Sequence, residues 1–296
     1  MKTTETLVKD IYDLMSTKQI PDGVDGDKAI EDFVEAVKTL MKKEFTEYRE
    51  DKRTLRMSNI GRSDKYLWHH VNGTSGEVIK PHTYIKFMYG HLIEEMLLCL
   101  TKLAGHTVTD EQKQCEVEGI TGHMDCKIDG VVTDIKSASS YSFKKFQDRS
   151  LAINDPFGYI DQIKGYAHAC DSREFGWLAM DKQNGHLTYL KYDLDNEADP
   201  MYEFYSTDIV ERIKHIKKLV AQPSPPELLC HDLLEDGKSG NLKLAAGCSY
   251  CPFKTECFPE LRGFYYSTGV KWLAHVEKEP QVPELMVRGG EDDEGF

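Results

Sequence analysis

Apolar residues recur with helical spacing in the amino-terminal third of the chain. Residues 4–16 and 28–48 show this spacing, and residues 84–103 repeat it with a higher apolar content. The second segment carries one apolar stripe, made of Ile30, Phe33, Val34, Val37, Leu40 and Met41. Because recurrence every three to four residues is typical of an amphipathic helix, the chain is expected to begin with helices.

Residues 106–137 alternate between apolar and polar positions instead, as half-buried strands do. Gly119, Gly122 and the pair Asp129-Gly130 interrupt the alternating runs and are turn signals. Asp-Gly between two such runs is a strong signal for a two-residue hairpin. The sequence therefore predicts several strands here, the last two joined across Asp129 and Gly130.

Helical and strand patterns alternate again in the second half of the chain. We predict a helix over about 157–170, strands at FGWLAM and LTYLKYDL, and a last helix over about 201–220. This order favours an α/β fold in which helices flank a mixed sheet. The expected regions are an amino-terminal helical region (1–56), a core (57–222), a cysteine-rich region (223–275) and an acidic, disordered tail (276–296).

Composition and charge limit the class of protein. The chain has 296 residues, of which 40% are hydrophobic, and this is enough to build a substantial core. Its formal net charge of −13 argues against a simple basic coat for nucleic acid, although positive charge can still gather on one face. The sequence has no apolar run of membrane-spanning length and no signal-peptide stretch. We therefore expect a soluble, cytoplasmic protein without membrane contact.

The predicted hairpin brings two aspartates together. Counting outward from the turn pairs Asp125 with Asp134, with their Cβ atoms ~5 Å apart. Lys136 lies two residues further on, so its side chain points to the same face. Like charges in such positions repel. A divalent cation would compensate the repulsion, and an exposed hairpin whose acids face water is the alternative.

The same residues resemble the signature of the PD-(D/E)XK nuclease superfamily. GHMD, which ends at Asp125, and DIK, at 134–136, are similar to its two parts. YGHLIEEML resembles the glycine-then-acid helix motif of the RecB-like and λ-exonuclease-like branches, with Glu94 at the position that reaches the metal. DQIKGYAHA resembles the RecB-type Q-x-x-x-Y motif through Gln162 and Tyr166.

This resemblance implies a restriction-endonuclease-like sheet and a metal site. Asp125, Asp134 and Glu94 would bind Mg²⁺ or Mn²⁺, which hard oxygen ligands suit. Glu95 is an alternative to Glu94, because only one of two neighbouring helix positions can face the site. Lys136 would orient water and stabilise charge on the phosphate.

The resemblance also implies a function. Gln162 and Tyr166, one helical turn apart, would touch DNA or order the active site; a core tyrosine with a polar neighbour is the alternative. The chain resembles a stand-alone phage exonuclease that acts on single-stranded DNA or duplex ends in recombination, replication or host DNA degradation. A structure-specific endonuclease and a non-catalytic DNA-binding adaptor are the alternative functions.

Four of the eight cysteines fall in one carboxy-terminal stretch. Cys248, Cys251 and Cys257 follow a C-x2-C-x5-C spacing, with Cys230 upstream. Four thiolates can close a Zn²⁺ site or hold an iron–sulfur cluster. The spacing resembles the iron–sulfur staple of AddB-type nucleases and of the CRISPR-associated adaptation nuclease, which favours a structural [4Fe–4S] cluster. The segment 58–70, where those families carry the fourth cysteine, holds none here, so Cys230 is the predicted substitute.

A segment after the hairpin is predicted to contact DNA. YSFKKFQDRS interleaves aromatic and basic residues, namely Tyr141, Phe143, Lys144, Lys145, Phe146 and Arg149. Bases that stack on aromatic rings while cations hold the phosphates are typical of single-strand binding without sequence readout. Arg62 is expected to add to this surface. The alternative is an amphipathic segment that packs its aromatic rings inward.

The chain ends in EDDEGF. A solvated, disordered tail is the first interpretation of such a composition. The segment also resembles the acidic, phenylalanine-ended tails of single-stranded-DNA-binding proteins, and this implies docking of replication proteins.

Overall fold

The computed structural model describes residues 2–46 and 53–285. Its helices are α1 (Leu7–Thr17), α2 (Gly26–Thr46), α3 (Asp64–Val71), α4 (Pro81–Leu103), α5 (Ser140–Gln147), α6 (Tyr159–Ala169), α7 (Tyr202–Tyr205), α8 (Ile209–Val220), α9 (Ala246–Ser249) and α10 (Lys254–Cys257). Its strands are β1 (Val108–Thr109), β2 (Gln114–Val117), β3 (Ile120–His123), β4 (Cys126–Ile128), β5 (Val131–Ala138), β6 (Glu174–Asp181), β7 (Leu187–Asp193), β8 (Leu234–Glu235), β9 (Leu242–Lys243), β10 (Arg262–Tyr266), β11 (Gly269–His275) and β12 (Glu284–Leu285).

The described residues divide into two compact units. Unit 1 runs to Gly61, resumes at Ile79 and ends at Lys218. Unit 2 comprises Arg62–Val78 and the described residues from Leu219 onward. Residues 62–78, which the sequence analysis placed in the core, therefore group with the cysteine-rich region.

A five-stranded sheet with the order β1-β4-β5-β6-β7 forms the centre of unit 1. β5 and β6 run parallel, whereas the other neighbours in the sheet are antiparallel. β2 and β3 pair as a separate antiparallel hairpin. The predicted α/β fold, with helices flanking a mixed sheet, is confirmed.

Aliphatic side chains bury one face of this sheet beneath α1 and α4. The two helices contribute Leu7, Ile11, Leu14, Ile93, Leu97 and Leu98. The strands contribute Cys126, Ile128, Ile135, Leu178, Met180 and Leu187. Because side chains alternate along a strand, the residues between these positions, among them Asp134 and Lys136, point to the other face.

Aromatic rings fill much of that other face. Phe175 and Trp177 of β6 and Tyr192 of β7 are buried. The Trp177 ring centroid lies 6.2 Å from that of Phe146 on α5, and Tyr192 stacks on Tyr205 with centroids 4.2 Å apart. Offset and edge-to-face ring pairs stabilise a core beyond their buried area, so α5 and α7 are fixed against the sheet.

The predicted hairpin register is observed. Ile128 pairs with Val131, and the ladder ends where Cys126 pairs with Thr133. Asp129 and Gly130 have φ angles of 50° and 89°, as both central residues of a type I′ turn require. Asp125 therefore precedes β4 instead of pairing within the ladder.

Unit 2 contains α3 and a second sheet with the order β12-β10-β11-β9-β8. The Glu77 amide donates a hydrogen bond to the Pro252 carbonyl at 3.0 Å, and the rings of Tyr66 and His69 lie 5.5 Å from the Phe253 ring. These contacts explain why 62–78 groups with the cysteine region. Neither α3 nor this sheet is predicted by the sequence pattern.

Three further predictions concern the apolar stripe on α2, membrane spans and the carboxy-terminal tail. Three residues of the stripe on α2 are exposed and three are half-buried, and Ala29 is the buried residue of that helix. Among the described residues no helix has both the length and the apolar composition needed to cross a membrane. Residues 276–285 include β12, which pairs with β10, whereas EDDEGF lies outside the described residues.

Candidate active site

The buried Asp134 and the partly exposed Lys136 form an ion pair on β5. Asp134 is only 2% exposed. Its Oδ1 and Oδ2 atoms lie 3.0 Å and 2.8 Å from the Lys136 Nζ. Gln162 of α6 donates a hydrogen bond from Nε2 to Asp134 Oδ1 at 3.3 Å. Three of the residues that the sequence predicted for one site are therefore in direct contact.

The backbone of β5 positions the second aspartate. The Ile135 amide donates a hydrogen bond to Asp125 Oδ2 at 2.7 Å. Burial, followed by the charges of Asp134 and Glu94, holds the pKa of Asp125 well above its usual value. Burial likewise raises the pKa of Asp134, although Lys136 opposes the shift. Ionisation of both Asp125 and Asp134 is therefore costly in the folded protein.

Lys136 remains protonated in this site. Burial alone would lower its pKa, but the negative charges of Asp134 and Asp125 raise the pKa above the usual value for lysine. The Nζ atom also lies 4.7 Å from the centroid of the Tyr159 ring. A cation over an aromatic face is attracted by the ring, so Tyr159 is a supporting residue that the sequence analysis missed.

Glu94 of α4 is the glutamate that interacts with the aspartates. Its charge raises the pKa of both Asp125 and Asp134. Glu95 has a pKa raised by burial and then by the charges of Glu94 and Glu111. The adjacent glutamates thus have different surroundings, as their separation of ~100° around the helix requires.

Gln112 links Glu94 to Asp125 and was also missed. Its Nε2 donates a hydrogen bond to Glu94 Oε1 at 2.9 Å, and its backbone amide donates to the Asp125 carbonyl at 2.9 Å. Its φ of 51° is left-handed, which is uncommon for a residue other than glycine. A glutamine in a polar loop carries no sequence signal for this role.

Tyr166 packs beneath the site. It is 2% exposed, and burial, followed by the charges of Asp134 and Asp125, raises its pKa. A Cβ built on Gly122 of β3 would lie 2.9 Å from the Tyr166 hydroxyl oxygen. The burial supports the ordering role that the sequence analysis allowed for Tyr166 and leaves little of its surface for DNA.

The aspartate pair fits a divalent cation. Asp134 Oδ2 is buried and makes no well-oriented hydrogen bond, although Lys136 Nζ lies within ion-pair distance. Mg²⁺ is usually held by one or two carboxylates together with waters, so two aspartates suffice. In the described ranges no three His, Cys, Asp or Glu side chains converge tightly enough to hold an ion. Glu94 is near the pair, but its carboxylate is held by Gln112.

The four predicted cysteine ligands cluster in unit 2. Burial, followed by the neighbouring cysteines, raises the pKa of Cys248 to about 12. Burial, with smaller contributions from Cys230 and Cys257, raises the pKa of Cys251 to about 11. The His231 amide donates a hydrogen bond to Cys248, and the Phe253 amide donates one to Cys251. Such hydrogen bonds favour thiolates, the form that binds metal.

Segment 62–78 contributes cations to this cluster where the resembling families carry a cysteine. The charge of Arg62 opposes the rise in the pKa of Cys251, and the charge of Lys65 opposes that of Cys257. All eight cysteines are described and none forms a disulfide. As for the carboxylates, no three of them converge on one point. The donor set suits a soft-ligand metal, whereas the observed arrangement is not closed around one.

Three of the six residues in the predicted DNA-contact segment are buried, so the prediction is wrong for them. Phe143 and Phe146 are buried on the inner face of α5. Lys145 is buried as well and donates hydrogen bonds from Nζ to the backbone and side-chain oxygens of Asn154. The cause is amphipathicity, because the inner face of α5 packs against the sheet. Two of the three rings therefore pack inward, as the alternative predicts, whereas Tyr141 is exposed.

The remaining members of that surface have other surroundings. Arg149 forms an ion pair with Asp199, and its guanidinium lies 5.2 Å from the Tyr192 ring centroid. Lys144 and Tyr141 are exposed. Arg62 belongs to unit 2, where it lies over the Tyr66 ring.

Comparison with known proteins gives distant likenesses. No protein-family model matches the chain, and no curated protein does. Among solved structures, the chain is similar to one described as SSO0001, with 14% identity and a TM-score of 0.38 over 76% of this chain and 95% of that one. It is also similar to an alkaline exonuclease, LHK-Exo, from Laribacter hongkongensis, with 14% identity and a TM-score of 0.30 over 56% of this chain and 91% of that one. The complex of LHK-Exo with dAMP gives 11% identity and a TM-score of 0.32 over 57% and 91%. All three TM-scores are below 0.5, so the proposals that follow depend on the residues of this chain.

Proposed function

We propose that the protein is a metal-dependent nuclease that hydrolyses phosphodiester bonds in DNA. The observation that carries the proposal is the buried Asp134 carboxylate, which has one oxygen without an oriented hydrogen bond. It pairs with Lys136, and its charge interacts with the second carboxylate at Asp125. Removing like charges from water is costly unless they are compensated. A site for a cation and a phosphate provides a use for this arrangement.

The residues of the chain have distinct roles in this proposal. Asp125 and Asp134 would hold the cation, and Glu94 would complete the ligand set on turning away from Gln112, which now donates a hydrogen bond to it. A bound Mg²⁺ or Mn²⁺ would stabilise charge on the phosphate oxygens and lower the pKa of the attacking water. Lys136 keeps its proton and donates hydrogen bonds to the water or to a phosphate oxygen, while Gln162 holds Asp134 in position.

We propose further that the enzyme is an exonuclease of the RecB-like branch. The motifs around Glu94, Asp125, Asp134 and Gln162 support this assignment by their resemblance to that branch. Its substrate is linear single-stranded DNA or a duplex end, and its setting is the cytoplasm during phage recombination, replication or host DNA degradation. Docking of replication proteins by EDDEGF stays a prediction.

For unit 2 we propose a structural metal site made of Cys230, Cys248, Cys251 and Cys257. The clustering of the thiols and the amide hydrogen bonds to two sulfur atoms support it. A [4Fe–4S] cluster is the proposed occupant on motif resemblance, with Zn²⁺ as the alternative. The cations of segment 62–78 would offset the negative charge of the thiolates.

The nuclease proposal is tested by incubating end-labelled linear DNA and a closed circle with Mg²⁺ or Mn²⁺. We expect linear DNA to shorten from its ends while the circle survives. Lys136→Ala and Glu94→Gln should each reduce the rate by about 100-fold or more, as the loss of a group that stabilises the transition state does. Glu95→Gln is the matched control and should stay within about threefold of wild type, a change below ~0.7 kcal/mol.

Two results would contradict the proposal in different ways. If wild type cleaves nothing with either metal, the nuclease assignment is lost. If the circle is opened as fast as linear DNA is shortened, the residues are catalytic but the enzyme is an endonuclease.

A further inference from the structure

The amino-terminal half of α4 is exposed although it is rich in apolar residues. Phe87 is 42% exposed and Tyr89 is 46% exposed. Residues 79–93 contain no Asp or Glu, in a chain that has 50 of them. Lys80 and Lys86 lie in this stretch and form no ion pair with any described residue. An apolar surface that also lacks negative charge indicates an interaction site for an apolar, anionic partner.

One face of this helix leads directly to the proposed active site. At ~100° per residue, Phe87, Gly90 and Glu94 share a face of α4, whereas Tyr89 points about 140° away from Glu94. A Cβ built on Gly90 would lie 3.7 Å from Ser137 Oγ, so the helix passes close to the end of β5. The face therefore runs from the proposed metal ligand, past β5, to an exposed aromatic ring.

A second ring enlarges this surface. Tyr84, three residues before Phe87, lies edge-on to it, with ring centroids 6.3 Å apart at 90°. Residues three apart are neighbours on a helix surface. Together the two rings form one aromatic surface. Its nearer ring, Phe87, lies about 10 Å from Glu94 along the helix axis, at ~1.5 Å per residue.

We propose that Tyr84 and Phe87 stack against the bases of a single DNA strand whose phosphate lies at the carboxylates. The proposal rests on the nuclease function proposed above and specifies where its substrate strand runs. Stacked bases repeat every ~3.4 Å along a strand, so the rings meet the strand about three nucleotides from the bond that is cut. Base stacking on aromatic rings tolerates any sequence.

The charge of this stretch favours a DNA strand over a second protein as the partner. The strand is a polyanion, and the absence of acids between residues 79 and 93 leaves Lys80 and Lys86 available for its phosphates. The aromatic residues Phe143 and Phe146, which the sequence suggested for the same task, are buried and cannot stack on bases. The face of α4 therefore supplies exposed rings beside the active site.

The test compares Phe87→Ala with Tyr89→Ala. Both replace an aromatic residue of similar exposure on one helix, but only Phe87 is on the face of Glu94. Binding of a labelled single-stranded oligonucleotide is measured in EDTA, where no cleavage occurs. We expect Phe87→Ala to weaken binding about 10-fold, in the range of base–aromatic stacking, and Tyr89→Ala to change it less than about twofold.

An oligonucleotide with abasic positions locates the contact. Removing two adjacent bases about three nucleotides from the end should weaken wild-type binding about as much as Phe87→Ala does, and should not weaken that variant further. Equal affinities of the two variants, or additive losses, would overturn the proposal. So would a change of oligomeric state in Phe87→Ala without a change in affinity, because the face would then join copies of the chain.

The outcome is distinguishable from failure of the nuclease proposal. Wild type that binds the oligonucleotide through Phe87 but cleaves nothing would retain the stacking surface and lose the catalytic assignment. If wild type cleaves normally and Phe87→Ala binds as well as wild type, the catalytic assignment is retained and the stacking surface is lost.

Discussion

The carboxylate site and the cysteine site differ in what holds their residues in place. In unit 1, Asp134 and Lys136 lie on a strand with neighbours on both sides, and Asp125 is fixed by an amide of that strand. In unit 2, Cys248 lies on the short helix α9 and Cys257 ends the short helix α10. The first site is built by the fold, whereas the second is built from segments with little regular structure.

The apolar core of unit 1 is larger than that of unit 2. Unit 1 buries two extensive layers of apolar side chains, one on each face of its sheet. In the described part of unit 2 the buried apolar residues are Leu67, Leu244, Cys248, Cys251, Phe253, Phe264 and Leu273. Two members of that smaller set are proposed ligands themselves. Because small cores need a metal or cross-link, unit 2 should depend on its site for folding, whereas unit 1 should not.

Loss of the cysteine site should therefore have the largest effect on the molecule. Cys248→Ser is expected to abolish bound iron or zinc and to unfold unit 2, since a structural metal can contribute on the order of 10 kcal/mol. Hydrogen exchange should show lost protection at β10 and β11 with protection retained at β5 and β6. Elemental analysis measures the metal.

Cys99→Ser on α4 is the control, because Cys99 belongs to unit 1 and is not one of the four proposed ligands. If wild type contains neither iron nor zinc, and unit 2 is equally protected in both variants, unit 2 folds without a metal at its cysteines.

The carboxylate site should show the opposite behaviour, with activity lost and stability kept. Asp125→Asn keeps an oxygen for the Ile135 amide and removes a charge that the folded state disfavours, as its raised pKa shows. Cleavage should fall about 100- to 1000-fold. The Tm without metal should be unchanged or higher, because the repulsion with Asp134 and Glu94 is relieved.

Thermal unfolding with and without Mn²⁺ checks this directly. Wild type should be stabilised by ~2.7 kcal/mol at a metal concentration 100 times Kd, and Asp125→Asn should lose that gain. Asp13→Asn, at an exposed position on α1, should behave as wild type. A large fall in metal-free Tm for Asp125→Asn would mean that the carboxylate supports the fold.

The predictable part of the active site is the part encoded locally. Asp129-Gly130 determines the turn, the turn determines the register, and alternation places Asp134 and Lys136 on one face. The Asp125–Asp134 pairing was nearly right, because the ladder ends one pair earlier than the count implied.

Roles that depend on tertiary contacts were not predictable. Gln112 follows β1 in the chain, and only the tertiary fold brings its side chain within hydrogen-bond distance of Glu94 on α4. Lys145 has the same residue type and amphipathic context as a surface cation, and only packing of α5 shows that it is buried. In unit 2, the short strands carry too little periodicity to predict a sheet, so the partnership of 62–78 with the cysteines was missed as well.

A smaller effect tests whether packing alone keeps α6 in place in unit 1. Gly158 precedes α6 with a φ of 77°, and a Cβ there would clash with the backbone of Gly61. Gly185 has the same φ of 77° but open space around it. Alanine at either position pays ~1–2 kcal/mol for the left-handed conformation, and only Gly158→Ala adds the clash. We expect urea unfolding to show Gly158→Ala to be the less stable variant by at least ~1 kcal/mol.

The clash should also reach the active site. It displaces the start of α6, which carries Gln162, and weakens the hydrogen bond to Asp134. Gly158→Ala should therefore cleave DNA several-fold more slowly, while Gly185→Ala should retain wild-type activity. Equal stability of the two variants would mean that the backbone near Gly61 yields easily, and that the close packing at Gly158 does not fix the position of α6.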